Sequence, residues 1–174
     1  MSFYQKAADI GKKFIKPHKL FKFGFNWSPM YKRSTGKITS VSEDLMEIKM
    51  KLKISYKNRN YMGSIFGGSL FASVDPVPMV QLIQLLGKDY VVWDKSAQIA
   101  FRRPAKEHLF AEFTYTLEEL ENIKKEVAAN KEYEMVKLTA LKSKDGTITY
   151  CEVAKTIYIA DKAYFKEKRA NKKA

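Results

Sequence analysis

The sequence predicts an α+β domain in which a curved antiparallel sheet wraps around one apolar helix. Two observations carry this prediction. One long segment with a two-residue period precedes four further strand-like segments, and an unusually apolar segment, residues 67–87, lies between them. The chain of 174 residues is the size of one ordinary domain and is long enough to bury a core without disulfides.

The long segment is LMEIKMKLKISYK, residues 45–57, in which apolar and charged side chains alternate. Alternation with period two places the apolar side chains on one face of a strand and the charged ones on the other. Residues 45–57 are therefore predicted to form a long, curved strand with one face covered. The apolar face consists of Met46, Ile48, Met50, Leu52, Ile54 and Tyr56.

The later part of the chain supplies the rest of the predicted sheet. Asp145-Gly146 within KSKDGT is a strong hairpin signal between the last two strands. Residues 118–130 have the three-to-four-residue apolar spacing of a short helix and are predicted to form one at the surface. The predicted strands are 91–102, 108–117, 133–143 and 147–160.

The predicted organisation has three parts: an N-terminal arm at 1–35, a domain at 36–160 and a basic tail at 161–174. Helical apolar spacing predicts a first helix at about 3–15, followed by the segment LFKFGFNWSP, in which aromatic residues alternate with others. This basic and aromatic arm is interpreted as an extended segment that packs on the domain with its lysines in solvent. The alternative is that the arm lies on an anionic membrane surface.

The net charge of +13 is concentrated at the two ends of the chain. Residues 1–37 carry nine lysines and arginines against one aspartate, and residues 161–174 carry six against two acidic residues. A nucleic-acid-binding domain would also carry a basic patch on its folded elements, so no specific nucleic-acid partner is expected. Weak contact of the basic ends with a membrane surface stays as an alternative.

The single cysteine, Cys151, excludes an intrachain disulfide and is expected to be a small buried apolar residue. No spacing such as CxxC or HExxH indicates a metal site. The N-terminus lacks the apolar run of a signal peptide, and no run is expected to reach the roughly 18 apolar residues that span a bilayer. These features predict a protein of the reducing cytoplasm.

The segment NYMGSIFGGSLFASVDP, residues 60–76, combines an asparagine, a glycine pair and a following aspartate in a fixed spacing. Together with the strand SAQIAFRRPA at 96–105, this spacing resembles the hotdog-fold acyl-coenzyme A thioesterases. The likeness covers roughly residues 36–160 and is closest to the phenylacetic-acid-degradation branch, within a subgroup known mainly as a domain of unknown function. It implies a homodimer or tetramer that takes a coenzyme A thioester as substrate and needs no cofactor.

The resemblance also implies roles for individual residues. Asp75 would be the general base or nucleophile, and Asn60 of the facing subunit would orient the water or the carboxylate. The amides of Gly67 and Gly68 at a helix N-terminus would hold the oxyanion, where one such donor contributes about 10²–10³ in rate. The glycine pair could instead serve close packing of the helix on the sheet.

The remaining predicted binding residues are expected to contact the substrate. Arginine and lysine side chains at the end of the strand could meet the phosphates of coenzyme A, since guanidinium groups pair with phosphate through two hydrogen bonds. Solvated surface charge is the alternative for each of them. These residues are Gly63, Phe66, Arg102, Arg103 and Lys106.

Two departures from the family pattern keep other interpretations open. The family has histidine directly before the glycine pair, where this sequence has Phe66, whose ring forms no conventional hydrogen bond. Asp75 precedes Pro76 and Pro78, so either the helix kinks here or it begins at Pro76 with Asp75 as its N-cap. Three functions follow: an acyl-CoA thioesterase, a non-catalytic binder of acyl thioesters or fatty acyl chains, and a membrane-surface module acting through its basic termini.

Overall fold

The computed structural model describes residues 15–171. The helix predicted at about 3–15 lies almost entirely outside the described residues. The helices are α1 Pro17–Trp27, α2 Pro29–Ser34, α3 Gly67–Val74, α4 Pro76–Leu86, α5 Leu117–Asn130 and α6 Lys162–Asn171. The strands are β1 Gly36–Val41, β2 Glu47–Leu52, β3 Tyr90–Phe101, β4 Leu109–Thr114, β5 Glu132–Lys142 and β6 Thr149–Asp161.

The strands form one curved sheet in the order β1-β2-β4-β5-β6-β3, and every neighbouring pair is antiparallel. This confirms the predicted α+β architecture. Strand β6 lies between β5 and β3 and pairs with both along most of its length. Strands β1 and β3 are the two edges of the sheet.

Helices α3 and α4 follow one another with only Asp75 between them, so the apolar segment predicted at 67–87 is one helix broken in the middle. Pro76 and Pro78 have no amide hydrogen to donate to the carbonyls four residues earlier, which explains the break. Contrary to the sequence-based expectation, Gly67–Leu86 is long and apolar enough to span a bilayer by length and composition. It is the helix that the sheet wraps, because Leu70, Val74 and Leu82 are buried in the core.

The core consists of two clusters that follow the two halves of this broken helix. Helix α3 packs with β1, β2 and β4 in the first cluster, which contains the predicted apolar face of residues 45–57 from Ile48 to Leu52. Helix α4 packs with α5 and the second half of β6 in the second cluster. Cys151 is fully buried in the first cluster, as predicted, and burial raises the pKa of its thiol to about 11.

The aromatic arm is helical, which corrects the extended segment inferred from its alternation. Phe21 and Phe25 are four residues apart and face the domain, whereas Phe23 and Trp27, also four apart, face solvent. Alternating aromatic residues therefore satisfy a helical period as well as a strand period. Pro17 opens α1 at its first position, where a missing amide hydrogen costs nothing.

The long strand predicted at 45–57 corresponds to β2 and is shorter than expected, because β2 covers only Glu47–Leu52. Leu45 has a φ of 63°, so the chain turns there and cannot extend the strand backwards. Asn58 ends it on the other side, since its side chain donates to the Lys53 carbonyl at 2.9 Å and accepts from the Ser55 amide at 2.8 Å.

Later elements match the sequence analysis closely. Helix α5 begins with a capping box between Thr116 and Glu119. Gly146 has a φ of 77° in the connection between β5 and β6, in agreement with the predicted hairpin. The basic tail is helical over Lys162–Asn171.

Candidate active site

The N-terminus of α3 presents two unpaired amides. The carbonyl of Phe66 accepts hydrogen bonds from the amides of Ser69 and Leu70, at 2.9 and 3.1 Å. Within residues 15–171, no acceptor bonds the amides of Gly67 and Gly68. Because the first amides of a helix lie at the positive end of its dipole, these two donors can hold a negatively charged or polarised oxygen.

Two exposed phenyl rings flank the glycine pair. A Cβ atom on Gly68 would lie 2.3 Å from Cε1 of Phe66, and one on Gly67 would lie 3.1 Å from Cζ of Phe101. The ring at the position of the family histidine is thus folded over Gly68. Any larger residue at position 68 would displace this ring.

Asn60 and Gly63 shape the loop that leads into α3. The Asn60 side-chain oxygen accepts from the amides of Met62 and Ser64, at 3.0 and 3.1 Å, and its amide group donates to the Ser64 hydroxyl at 3.0 Å. Gly63 has a φ of 74°, a conformation that favours glycine. Within its own chain, Asn60 therefore holds the loop, and its predicted role toward substrate stays a prediction.

Asp75 lies in a cluster of three charged side chains that sequence reasoning did not identify. The ammonium of Lys155 donates to Asp75 Oδ1 at 2.8 Å, to the Asp75 carbonyl at 2.5 Å and to Asp94 Oδ2 at 2.5 Å. An ammonium has three hydrogens, so these three acceptors use all of its hydrogen-bonding capacity. The Lys155 side chain is only 2% exposed, and its one positive charge faces two carboxylates.

Asp94 is held less favourably than Asp75. Its Oδ1 is buried and has no hydrogen-bond partner among residues 15–171. Burial raises the pKa of the Asp94 carboxyl, and the neighbouring Lys155 ammonium opposes this shift only in part. A negative charge on Asp94 is therefore costly to bury, and the one ammonium of the cluster offsets this cost only in part.

The Asp75 carboxylate is not an N-cap, because it forms no cap hydrogen bond to the start of α4 and its backbone is helical, with φ −50° and ψ −54°. This excludes the capping alternative. Its side chain is 40% exposed, and Oδ2 has no hydrogen-bond partner within residues 15–171. Lys155 thus fixes one carboxylate oxygen and leaves the other open to solvent.

Side-chain donors bond the carbonyls around the helix break. The buried Tyr31 hydroxyl donates to the Ser73 carbonyl at 2.9 Å, and Lys155 donates to the Asp75 carbonyl. The Tyr115 hydroxyl donates to the Pro78 carbonyl at 3.1 Å. Residues of α2, of β6 and directly after β4 therefore stabilise the break. These contacts keep Asp75 in a fixed position.

The amides and the carboxylate lie at different points of one helix. Residues 67 and 75 are eight residues apart, which corresponds to about 12 Å along a helix axis. Direct contact with a reacting carbonyl needs a distance of about 3 Å. Gly67 and Asp75 of one chain are therefore too far apart for both to contact one thioester carbonyl directly.

The predicted phosphate-binding residues lie in the segment that follows β3. Arg102 forms an ion pair with Glu152 at 2.6 Å. Arg103 and Lys106 are exposed and form no ion pair among residues 15–171. Their role toward coenzyme A stays a prediction.

A cavity of about 480 Å³ lies on the opposite face of the sheet from the charged cluster. It is lined mainly by alternating residues of β3, β5 and β6, among them Gln98, Leu138 and Ala154, and by Arg102 directly after β3. The next residue, Lys155, points to the other face. The cavity contains neither the glycine pair nor Asp75, so it is separate from the candidate site. Across residues 15–171, no group of three histidine, cysteine or acidic residues could hold a metal ion.

A sequence signal for the charged cluster does exist. Inward-facing positions of β6 are apolar at Val153 and Ile157, and Lys155 interrupts them. A lysine in the middle of a buried strand face requires acidic partners. Its partners, Asp75 and Asp94, could not be paired with it before the strand order was known.

Comparison with solved structures places the fold among thioesterase-like proteins. A protein of unknown function from Pseudomonas aeruginosa, described as a "probable thioesterase", has a TM-score of 0.73 at 19% identity and covers 83% of this chain and 96% of its own. A thioesterase from Haemophilus influenzae has a TM-score of 0.60 at 12% identity, with coverage of 83% and 90%. A hypothetical thioesterase from Streptococcus pneumoniae, solved with coenzyme A, has a TM-score of 0.50 at 15% identity, with coverage of 72% and 86%.

These identities are low, so the similarity shows a shared hotdog-type fold. No curated protein matches the chain in sequence. The profile of one family matches residues 18–159, which is most of the chain. The chain therefore belongs to the family described as a domain of unknown function, DUF4442.

Proposed function

We propose that the protein is an acyl-CoA thioesterase that works as a homodimer, with its site at the subunit interface. The observation that carries the proposal is the pairing, on one broken helix, of two unpaired amides at Gly67 and Gly68 with a fixed, solvent-accessible carboxylate at Asp75. Thioester hydrolysis by direct attack of water is accelerated by both kinds of group, a donor for the oxyanion and a base for water. The thioesterase-like structural neighbours support this choice.

In the proposed reaction, the amides of Gly67 and Gly68 bind the thioester carbonyl oxygen. The open Oδ2 of Asp75 accepts a proton from water as the water oxygen attacks the carbonyl carbon. The carbonyl oxygen becomes an oxyanion, which the amides stabilise. Collapse of this intermediate breaks the carbon–sulfur bond, and the departing thiolate takes the proton from Asp75, giving the free acid and the coenzyme A thiol.

A second copy of the chain would bring the two groups together. About 12 Å along the helix axis separates Gly67 from Asp75 within one chain. Strand β3 is a twelve-residue edge with Ile99 and Phe101 exposed, and long open edges tend to be paired. Pairing of two β3 edges could set the glycine pair of one subunit against Asp75 of the other, with Asn60 facing the same site.

One observation favours the alternative, a domain that binds acyl thioesters or fatty acyl chains without hydrolysing them. Phe66 stands where the family has histidine, and its ring lies over Gly68 beside the free amides. An apolar ring here could contact an acyl chain but could not position water through a hydrogen bond.

The test is hydrolysis of a panel of acyl-CoA thioesters of different chain length, followed by the release of thiol. Wild type should hydrolyse at least one of them, and Asp75→Asn should lower kcat by about 10²–10⁴, the usual effect of removing a general base. Asp89→Asn changes an exposed aspartate after α4 and should have no effect.

Two outcomes would contradict the proposal. Saturable binding of an acyl-CoA without thiol release would identify the non-catalytic binder. Full activity in a folded Asp75→Asn variant would remove Asp75 from the mechanism.

A further inference from the structure

Helices α1 and α2 carry an exposed aromatic surface surrounded by basic residues. Phe23 and Trp27 lie one helical turn apart on the solvent face of α1, with 63% and 79% of each residue exposed. Met30, at the start of α2, is also exposed. We call these three residues the aromatic face. Large apolar side chains that cluster at a protein surface mark interaction sites more often than scattered ones do.

The domain fixes the direction of this face. On the opposite side of α1, Phe21 stacks on Phe25 with ring centroids 4.6 Å apart, and Phe25 meets Tyr31 edge-on at 5.0 Å. The Asn26 side chain exchanges two 2.9 Å hydrogen bonds with the backbone of Ile38 in β1. Since α1 already buries one full set of aromatic residues, Phe23 and Trp27 are not needed to hold it in place.

The charge around the aromatic face has one sign. Residues 15–42 contain six lysines and arginines and no acidic residue. Among them, Lys16 is paired with Glu43 at 3.1 Å, and no other ion pair involves this stretch of the described chain. The Lys32 ammonium lies 5.7 Å from the centre of the Trp27 ring, so charge and aromatic surface are directly adjacent. The basic residues are Lys16, Lys19, Lys22, Lys32, Arg33 and Lys37.

We propose that the aromatic face docks the protein onto the surface of an anionic lipid membrane. Interfacial helices combine tryptophan and phenylalanine on one side with lysines that reach the headgroups, which is the arrangement found here. Each basic residue near an anionic membrane strengthens binding by about fivefold. An acidic nucleic acid would also attract this charge, but Phe23, Trp27 and Met30 gain from burial in lipid and not from a phosphate backbone.

The first test is binding of the full-length protein to vesicles of phosphatidylcholine with phosphatidylglycerol, measured by co-sedimentation. Wild type should bind these vesicles and should bind pure phosphatidylcholine at least about tenfold more weakly. Phe23→Ser with Trp27→Ser should lower the partition coefficient by about tenfold or more. The matched control is Val136→Ser with Leu138→Ser, two similarly exposed apolar residues on β5, at 60% and 73%, which should bind like wild type.

The two tryptophans give a second readout. In Trp93→Phe, the remaining Trp27 should show a blue-shifted emission when anionic vesicles are added, because its indole enters the interface. In Trp27→Phe, the remaining Trp93 on β3 should show no shift. Hydrolysis of a soluble acyl-CoA should be the same in the Phe23/Trp27 variant as in wild type, so the outcome is independent of the proposed enzyme activity.

Three results would overturn the proposal. The first is that wild type binds neither kind of vesicle, and the second is that the Phe23/Trp27 variant binds as tightly as wild type. Loss of a dimer in the Phe23/Trp27 variant without lipid would show that a second copy of the chain covers this face instead.

Discussion

Lys155 and Asp75 are eighty residues apart in sequence and form a 2.8 Å ion pair beneath the break in the central helix. The same ammonium bonds the Asp75 carbonyl, so the backbone and the side chain of this aspartate are held by one residue. Strand β6, through Lys155, therefore fixes the position of Asp75 and supplies the positive charge beside its carboxylate.

Lys155→Met is expected to lower the free energy of unfolding by about 2–4 kcal/mol. The change keeps the length of the side chain but leaves Asp75 and Asp94 without their shared cation, and breaking one partner of a buried pair is costly. Both carboxylates are partly exposed, which keeps the loss below that of a fully buried pair. Urea unfolding followed by circular dichroism measures the effect.

Lys95→Met is the matched control, since Lys95 pairs with Glu134 at 2.5 Å on the surface. A surface ion pair contributes about 0–1 kcal/mol to the free energy of unfolding, so the stability of this variant should be close to that of wild type. Equal stability of the Lys155 and Lys95 variants would show that the buried cluster contributes no more than a surface pair.

The effect of Gly68→Ala on the free energy of unfolding should depend on the residue at position 66. Alanine in a helix is usually about 0.5–1 kcal/mol more stable than glycine. In wild type the new methyl group would meet the Phe66 ring at 2.3 Å, so the gain should be absent or reversed. In a Phe66→Ala background the gain should appear. A double-mutant cycle measured by urea unfolding gives the coupling energy.

Gly24→Ala in α1 serves as the reference, because nothing lies within 4 Å of a Cβ built there. It should stabilise wild type and the Phe66→Ala background equally. If Gly68→Ala stabilises both backgrounds equally as well, the ring does not cover Gly68 in solution.

Asp94→Asn should become more stable relative to wild type as the pH rises from about 4 toward 7. The pKa of Asp94 is raised in the folded protein, so the folded state binds more protons in this window than the unfolded state. The contribution of Asp94 to stability is therefore present at low pH and is lost as the pH rises through its folded pKa. Asparagine does not titrate and has no such loss.

Melting temperatures of the two proteins, recorded over this pH range, test the expectation. The difference between variant and wild type should change in favour of the variant with increasing pH. A change in the opposite direction would mean that the attraction of Lys155 outweighs burial at Asp94.

Sedimentation equilibrium at micromolar concentration should show a species of twice the 20.1 kDa chain mass. Ile99→Lys places a charge on the exposed edge strand β3 and should shift the protein toward the monomer, with loss of thioesterase activity although Asp75 is intact. Ser40→Lys places the same charge on the other edge strand, β1, and should leave the dimer unchanged. A monomeric wild type, or a fully active monomeric variant, would refute the shared site.

Local periodicity was sufficient to predict most of the strands and one of the helices. Strands β3 to β6 and helix α5 follow from alternation, apolar spacing and the Asp145-Gly146 turn, which are all properties of nearby residues. The arm containing Phe21, Phe23, Phe25 and Trp27 was predicted wrongly because the same positions fit two periods. Burial against β1 decides between them, and burial is not a local property.

The candidate site was predictable only where it is contiguous in sequence. The glycine pair and Asp75 lie within one helix and could be recognised together. Lys155 and Asp94 come from strands β6 and β3, which become neighbours only through the sheet order. Their contact with Asp75 depends on how the broken helix lies across that sheet.

The position of β6 also determines how readily the backbone amides around the candidate site exchange their hydrogens with solvent. Its amides and carbonyls are paired with β5 on one side and β3 on the other, so hydrogen exchange along β6 requires the sheet itself to separate. Lys155 is therefore attached to a segment that opens close to the free energy of global unfolding. The Gly67 and Gly68 amides have no backbone acceptor in the described chain and exchange without any opening. The amides proposed to hold the oxyanion would thus exchange fast, whereas the backbone segment that carries Lys155 would exchange slowly.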